Sequence, residues 1–115
     1  MIAVIFEVWI APEHRQDYIE AAGKLRALLE GIDGFISVER FQSLTEPDKI
    51  LSLSFFRDED AVKAWRNTIQ HRQVQSLGRN EYFLDYRLRI TQVLRDYGMD
   101  SREQAPDDSQ QIHNI

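Results

Sequence analysis

The sequence predicts an α+β fold in which an antiparallel sheet carries two helices on one face, in the ferredoxin-like order β-α-β-β-α-β. Three observations predict it: strand-type segments at both ends of the folded region, two amphipathic segments with helical spacing, and a polar turn between two central strands. A chain of 115 residues suffices for one domain. We expect that domain over residues 1–97, and a polar, acidic tail over 98–115 that is flexible or lies across a partner subunit.

The first strand and the first helix follow from composition and spacing. Residues 2–10 are rich in β-branched and aromatic side chains, which is typical of a strand. Pro12 and Glu13 are typical of the first turn of a helix, where proline needs no N–H partner and an acid favours the helix dipole. Gly31 and Gly34 are expected to end this helix. Its apolar positions recur every three or four residues: Tyr18, Ala22, Leu25, Leu29 and Ile32.

The remainder of the folded region repeats the alternation of strand and helix. Residues 35–43 and 50–56 are predicted strands joined by a polar turn. Asp58 is the predicted N-cap of a second helix, whose pattern weakens near residue 68 and continues as a further helical piece over 68–77. A long final strand is predicted over 82–93. The apolar side of the second helix holds Ala61, Val62 and Trp65.

Both faces of the predicted sheet carry apolar side chains. Along the first strand, the even-numbered residues from Ile2 to Ile10 share one face, and Ile5, Glu7 and Trp9 share the other. Two helices cover only one face of such a sheet, so the second face should be buried against another subunit. We therefore expect a homodimer formed by sheet-to-sheet packing.

Composition argues against several classes of function. The net charge is −5, which argues against nucleic acid as the main partner, although residues 65–95 hold six arginines and only two acids. There is no cysteine, which excludes disulfides and thiolate chemistry and fits a reducing cytoplasm. No apolar run reaches the ~20 residues of a membrane-spanning helix, and the apolar start lacks a basic leader. We expect a cytoplasmic protein without a membrane or nucleic-acid partner.

The sequence contains none of the usual motifs for binding a metal ion or a nucleotide. The three histidines are far apart, and no HExxH motif, paired-carboxylate spacing or glycine-rich phosphate loop is present. We therefore expect neither a metal nor another cofactor.

Two phrases of the sequence carry a resemblance to a known family. These are FFRDEDAVKAWRNTIQHRQVQSLGR, from residue 55, and YFLDYRLRITQVLRDYG, from residue 82. With the predicted order of elements, they resemble the antibiotic biosynthesis monooxygenase (ABM) superfamily over about residues 1–97. The resemblance implies a dimeric α+β barrel with a small hydrophobic cavity in each subunit, between sheet and helices. Some members of that superfamily oxidise phenols or quinols there with molecular oxygen and neither metal nor flavin, and others degrade haem.

Haem degradation is disfavoured by the residues at the corresponding positions. The resemblance implies that haem-degrading members use an asparagine on the first strand, the helix tryptophan, and a histidine nine or ten residues beyond it. Trp65 matches the tryptophan, but Glu7 stands at the asparagine position and Val74 and Gln75 stand where the histidine should be. His71 lies only six residues beyond Trp65, so it does not stand at the position of the haem-binding histidine.

The predicted function is therefore a cofactor-independent monooxygenase acting on a small aromatic or quinol-like compound. Such a reaction needs a base, a partner for the developing oxyanion and a dry pocket. The candidate catalytic residues are His71, whose ordinary pKa suits proton transfer, and Glu7, an acid within an apolar strand. The candidate substrate-binding residues are two arginines beside the anion and three aromatic residues around the ring: Arg72, Arg79, Trp65, Tyr82 and Tyr86.

Each candidate also has an ordinary structural interpretation. Trp65 can be a core residue, His71 a helix cap, and Glu7 the partner of a strand arginine such as Arg87 or Arg89. The alternatives to an enzyme are a non-catalytic barrel that binds a small hydrophobic ligand, and a structural or regulatory dimer whose cavity is filled. Convergence of Glu7 and His71 with Trp65 in one cavity would favour chemistry. An ion pair at Glu7 together with a filled cavity would favour the structural alternative.

Overall fold

The fold is an antiparallel sheet with two helices on one face. The computed structural model describes residues 1–68, 72 and 81–110. Within them the strands form one sheet of order β2-β3-β1-β4, in which every neighbouring pair is antiparallel. This is the ferredoxin-like β-α-β-β-α-β arrangement, so the predicted fold class is confirmed. The elements are β1 Ile2–Ile10, α1 Arg15–Leu29, β2 Phe35–Gln42, β3 Lys49–Phe56, α2 Glu59–Arg66 and β4 Phe83–Gln92.

The core lies between the helices and the face formed by the even-numbered residues of β1. Because side chains alternate along a strand, Val8 and Ile10 are buried together on this face. One core cluster joins the sheet to α2 and the end of α1: Ile2, Leu29, Val38, Phe56, Ala61, Val62 and Trp65. A second joins it to the start of α1: Val8, Ile10, Tyr18, Ala22 and Ile50.

The first helix begins later than the proline signal indicated. Residues Pro12–His14 form a 3-10 turn, and α1 runs from Arg15 to Leu29. Ile32, expected on the helix, lies beyond its end and packs at the edge of the first core cluster. The turn that follows brings Gly34 to a φ of 91°, a conformation that L side chains avoid.

Substitution of Gly34 tests this turn. A Cβ atom at Gly34 would lie 2.8 Å from the Cβ of Ala61. Gly34→Ala is therefore expected to lower the free energy of unfolding by about 1–3 kcal/mol, from backbone strain and this overlap. Gly23→Ala is the control, because Gly23 lies within α1 and a Cβ there meets no atom within 4 Å. It should stabilise the chain by about 0.5–1 kcal/mol. Denaturant unfolding checks both values, and equal effects would contradict the explanation.

The second helix begins at its predicted cap. The Asp58 side chain accepts a hydrogen bond from the backbone N–H of Ala61 at 2.9 Å, so the N-cap is confirmed. This hydrogen bond is the main cause that holds the pKa of Asp58 below its ordinary value. The helix ends at Arg66, where the apolar pattern weakens. Apart from Thr68 and Arg72, the further helical piece predicted after it lies outside the described residues.

The second face of the sheet is not covered by either helix. Among the described residues, its apolar side chains include Ile5 of β1, with Leu51, Leu53 and Phe55 of β3. These four are half-buried, whereas Phe41 of β2 is 43% exposed. This surface agrees with the predicted second apolar face, and the homodimer built on it stays a prediction. No helix within the described residues has the length and apolar character needed to cross a membrane.

The tail folds back on itself as far as the structure describes it. The Arg102 guanidinium lies over the Tyr97 ring at 5.3 Å and donates a hydrogen bond to the Ser109 carbonyl at 2.6 Å. Ala105 is buried, and a short helix spans Asp107–Gln110. The division into a domain and a flexible tail or arm stays a prediction.

Candidate functional site

A cavity of about 220 Å³ lies between the helix-bearing face of the sheet and the two helices. Strand alternation brings Val4 and Phe6 of β1 and Ser52 and Ser54 of β3 into its wall. Helical spacing brings the apolar side of α1 into the opposite wall. Among the described residues, six aromatic side chains line the cavity: Phe6, Tyr18, Phe56, Trp65, Phe83 and Tyr86. The aliphatic wall includes Ala22, Leu25, Leu29, Val38, Val62, Leu88 and Ile90.

Trp65 is both a core residue and part of the cavity wall. It is 8% exposed and belongs to the first core cluster, so it anchors α2 to the sheet. It also lines the cavity together with Tyr86. A large aromatic residue in this position supplies a flat apolar surface for a bound molecule without losing its packing against the core.

Phe83, rather than Tyr82, accompanies Tyr86 in the aromatic wall. The pairing of β1 with β4 shifts between Trp9 and Ile10, so the simple alternation that placed Tyr82 and Tyr86 on one face does not hold. Tyr82 precedes β4 and packs against the His14 ring at 5.1 Å, outside the cavity wall. The Phe83 and Tyr86 rings lie 6.1 Å apart.

Glu7 lies on the opposite face of the sheet from the cavity. Its Oε2 is 2.7 Å from the Lys49 ammonium, and its Oε1 accepts a short hydrogen bond from the Arg89 guanidinium. The hydrogen bond from Lys49 is the largest cause that lowers the pKa of Glu7, so the carboxylate is ionised at neutral pH. The interpretation of Glu7 as an ion-pair partner of Arg89 is confirmed. The structure does not bring Glu7 together with Trp65.

The pH dependence of stability tests this assignment. A pKa below the ordinary value of 4.5 in the folded protein means that the ion pairs of Glu7 stabilise the fold above pH 4.5. That contribution is lost as the pH falls through the lowered folded-state pKa. We expect the difference in unfolding free energy between wild type and Glu7→Gln to be constant above pH 4.5, and to shrink as the pH falls below that value. Urea titrations at a series of pH values measure this difference in unfolding free energy. If it grew as the pH was lowered, the assignment would be contradicted.

The remaining predicted site residues are not placed in the cavity. Arg72 is exposed and donates a hydrogen bond to the Asn67 side chain at 2.9 Å. It is not part of the cavity wall that the structure describes. His71 and Arg79 lie outside the described residues, so the roles predicted for them stay predictions.

Arg40 and Tyr18 are wall residues that the sequence interpretation missed. Arg40 alternates with Val38 on β2, which places a guanidinium on the apolar, cavity-facing side of the sheet. Burial raises the pKa of the Tyr18 hydroxyl, and the charge and hydrogen-bond donors of Arg40 oppose that rise. The pattern contained a signal for Arg40, namely a charge two positions after a buried valine in a strand.

The described residues hold no cluster of three or more histidine, aspartate or glutamate side chains able to bind a metal ion. In the part of the cavity wall that the structure describes, the polar groups are two arginines, two serines and two tyrosine hydroxyls: Arg40, Arg66, Ser52, Ser54, Tyr18 and Tyr86. The arrangement is therefore suited to binding an apolar molecule that carries a hydrogen-bond acceptor.

Comparison with known proteins identifies close sequence relatives. The model of the antibiotic biosynthesis monooxygenase family matches residues 1–77. The chain is 46% identical over 93 residues to a protein of Pyricularia oryzae named jasmonate monooxygenase, with 81% of this chain and 43% of that protein covered. It thus spans less than half the length of that relative. It is also 30% identical over 94 residues to the uncharacterised protein YqjZ of Bacillus subtilis, covering 81% of this chain and 79% of YqjZ.

Solved structures share the fold at low sequence identity. A structure from Mycobacterium tuberculosis superposes with a TM-score of 0.76 at 14% identity, covering 84% of this chain and 98% of the other. A Nitrosomonas europaea protein, described as a candidate antibiotic biosynthesis monooxygenase, gives a TM-score of 0.73 at 13% identity, covering 82% and 99%. At these identities the likeness concerns the fold alone.

Proposed function

The chain belongs to the antibiotic biosynthesis monooxygenase family, and from this membership we propose that its cavity binds a small hydrophobic molecule and oxidises it with molecular oxygen. The observation that carries the proposal is the cavity itself. It is apolar and aromatic, it has space for a small molecule, and a few polar groups converge on it. These features support a ligand-binding cavity over the alternative of a structural dimer with a filled interior.

The reaction proposed is the oxidation of a phenol or quinol-like ring. Deprotonation of the ring hydroxyl gives an electron-rich anion that passes an electron to oxygen. Recombination forms the carbon–oxygen bond, after which loss of water leaves a quinone. The ring thus loses two hydrogen atoms, one oxygen atom enters the product, and the other leaves as water. The substrate itself supplies all the electrons, so the proposed reaction needs no cofactor.

The wall residues divide into ring contacts and oxyanion contacts. Trp65, Phe83 and Tyr86 offer flat surfaces to an aromatic ring. Arg40 and Tyr18 offer hydrogen-bond donors to an oxyanion, in a site where apolar walls strengthen electrostatic interactions. His71 stays the proposed base. Glu7 has no part in this proposal, because it lies on the other face of the sheet.

A second candidate substrate comes from the name of the Pyricularia oryzae relative. The identity of 46% supports including jasmonate beside the phenols and quinols in any test. A non-catalytic role is the alternative, in which the same cavity binds a hydrophobic ligand without oxidising it.

Oxygen uptake distinguishes the enzyme from a binding protein. The protein is mixed anaerobically with members of a panel of quinols, phenols and jasmonate, air is admitted, and oxygen consumption is followed. We expect acceleration over buffer for at least one compound, and a lower rate for His71→Ala. No acceleration for any compound, with wild type and His71→Ala equal, would contradict the enzyme proposal for these substrates. Ligand binding by calorimetry in the same panel would then support the non-catalytic alternative.

We also propose that the second face of the sheet forms a homodimer interface. Apolar residues of three strands lie there without a covering helix among the described residues, and soluble monomers rarely expose a continuous apolar surface of this kind. The Glu7, Lys49 and Arg89 ion pairs lie on the same face. Sedimentation at micromolar concentration should give the mass of two chains. The mass of one chain, 13.5 kDa, would contradict the dimer.

A further inference from the structure

The charge of the cavity wall is opposite in sign to that of the chain. The chain carries −5, yet the only charged residues of the described wall are two arginines, Arg40 and Arg66. No acidic residue of the described chain forms a salt bridge with either of them. A cation in an apolar wall strengthens the local field, because little solvent screens it. The cavity is therefore favourable for an anion and unfavourable for a cation.

Arg40 is the less satisfied of the two charged groups. Its Nε atom is buried and has no hydrogen-bond partner, whereas Arg66 is exposed to solvent. Buried polar groups in proteins are nearly always hydrogen-bonded, and a charged donor without an acceptor is strongly unfavourable. The half-buried Arg40 side chain hydrogen-bonds the Tyr18 hydroxyl, but its buried Nε has no acceptor. This free donor in a ligand-sized cavity points to an acceptor that arrives with the ligand.

The groups around Arg40 suit an acceptor with two oxygen atoms. Ser52 is its direct partner across the β2–β3 ladder, and both residues line the cavity. Directly opposed residues of antiparallel strands bring their Cβ atoms to about 5 Å, so the Ser52 hydroxyl lies close to the Arg40 side chain. The Tyr18 hydroxyl hydrogen-bonds the same guanidinium, and burial keeps its pKa above the ordinary value of 10, so it retains a proton to donate. A guanidinium fork with two neighbouring hydroxyl donors matches a carboxylate better than it matches the single oxygen of a phenolate.

We propose that Arg40, with Tyr18 and Ser52, binds a carboxylate of the substrate, so that the substrate class is a small phenol or quinol whose otherwise apolar body carries one carboxylate. This assignment rests on the proposed function and specifies it. The carboxylate lies against β2 and β3, and the apolar body of the molecule extends toward Trp65 and Tyr86. Arg40 is thus the residue that determines specificity for an acid over the neutral compound of the same shape.

Calorimetric titration of matched acids and amides tests the assignment without requiring turnover. The probes are 3-phenylpropanoic acid and octanoic acid, each compared with its primary amide, which keeps the shape and removes the charge. The proteins are wild type, Arg40→Met, Arg40→Lys, and Arg26→Met as a control, since Arg26 is exposed on α1. Melting temperatures show that each variant is folded before its binding is compared with that of wild type.

We expect wild type to bind at least one acid about tenfold or more tightly than its amide, which corresponds to one charge-assisted hydrogen bond. Arg40→Met should reduce the affinity for the acid to that for the amide and leave the amide unchanged. Arg40→Lys should retain part of the preference, and Arg26→Met all of it. Equal binding of acid and amide by wild type would overturn the proposal. The proposal would also be overturned if Arg40→Met still preferred the acid to its amide. It would likewise be overturned if wild type bound neither acid at millimolar concentration.

Two further outcomes separate this proposal from the proposed function. Arg40-dependent binding of acids without oxygen uptake by any compound of the panel would support the carboxylate site and contradict the monooxygenase. Oxygen uptake with phenols, together with Arg40-dependent binding of ionised 4-nitrophenol but not of the acids, would overturn the carboxylate assignment and leave the monooxygenase standing.

Discussion

Ala22→Phe is expected to reduce oxygen uptake by about 100-fold or more, because misplacement of a substrate by about an ångström already has an effect of this size. Ala22 lies on the side of α1 that faces the sheet, and its side chain forms part of the cavity wall. A phenylalanine there would occupy space that the proposed substrate needs. The cavity also gives the new ring room, so the fold should be retained with a loss of about 1–3 kcal/mol at most.

A matched variant separates filling of the cavity from a general effect on α1. Ala27 lies on the exposed side of the same helix, so Ala27→Phe adds the same atoms outside the cavity. We expect it to keep the oxygen uptake of wild type. Affinity for the best-bound ligand, measured by calorimetry, should fall in Ala22→Phe and not in Ala27→Phe. Undiminished uptake by Ala22→Phe would exclude this cavity as the site of oxidation.

Leu53→Asp is expected to convert the proposed dimer into monomers. Leu53 lies on the second face of the sheet, opposite Ile5 in the β1–β3 ladder. Burial of an unpaired carboxylate in an apolar interface is so unfavourable that the dimer should dissociate at micromolar concentration, with a rise in Kd of about 100-fold or more. Sedimentation equilibrium of wild type and variant measures the change directly.

The control for this variant places the same charge on a helix. Leu28 lies on α1 and is 43% exposed on the side away from the sheet, so Leu28→Asp should leave the mass unchanged. Both variants should keep the circular dichroism spectrum of wild type. Dimers that persist in Leu53→Asp, or that are lost equally in Leu28→Asp, would place the interface elsewhere.

The sequence predicted the fold well because local patterns and tertiary contacts agree along most of the chain. Period-two alternation along β1 divided its residues correctly between two faces, of which the even-numbered one packs on the helices. Asp58 marked the start of α2 by a hydrogen bond that its own side chain accepts. The start of α1 was less well predicted. A proline is equally compatible with the 3-10 turn that precedes Arg15, so it does not by itself place the first helical residue.

The site was predicted less completely, because its walls come from elements distant in sequence. Trp65 and Tyr86 were placed in the cavity by the resemblance and by strand alternation. Tyr82 was misplaced because the irregular pairing at Trp9 and Ile10 depends on how β1 and β4 meet, which no single segment reveals. Glu7 was predicted as a catalytic base because it is an acid in an apolar strand. Alternation placed it with Trp9 on one face of β1, but only the structure shows that this face lies away from the cavity.

Arg40 illustrates what a strand pattern does and does not predict. Its position two residues after Val38 puts both side chains on one face of β2, which is readable from the sequence alone. That this face is the buried one follows from the structure. The packing of α1 over β2 and β3 decides the rest. It leaves the Arg40 Nε without a hydrogen-bond partner and brings Tyr18 and Ser52 beside the Arg40 side chain. A buried charge becomes a candidate for function only when its surroundings are known.

Incorporation of isotope from oxygen gas tests the central claim most directly. The most active compound of the panel is incubated with wild type under oxygen labelled with the heavy isotope, and the product is analysed by mass spectrometry. Oxidation within the cavity predicts one labelled oxygen atom per product molecule, formed by wild type and Ala27→Phe and strongly diminished in Ala22→Phe. A product without label, or equal labelled product from Ala22→Phe, would contradict a monooxygenase that works in this cavity.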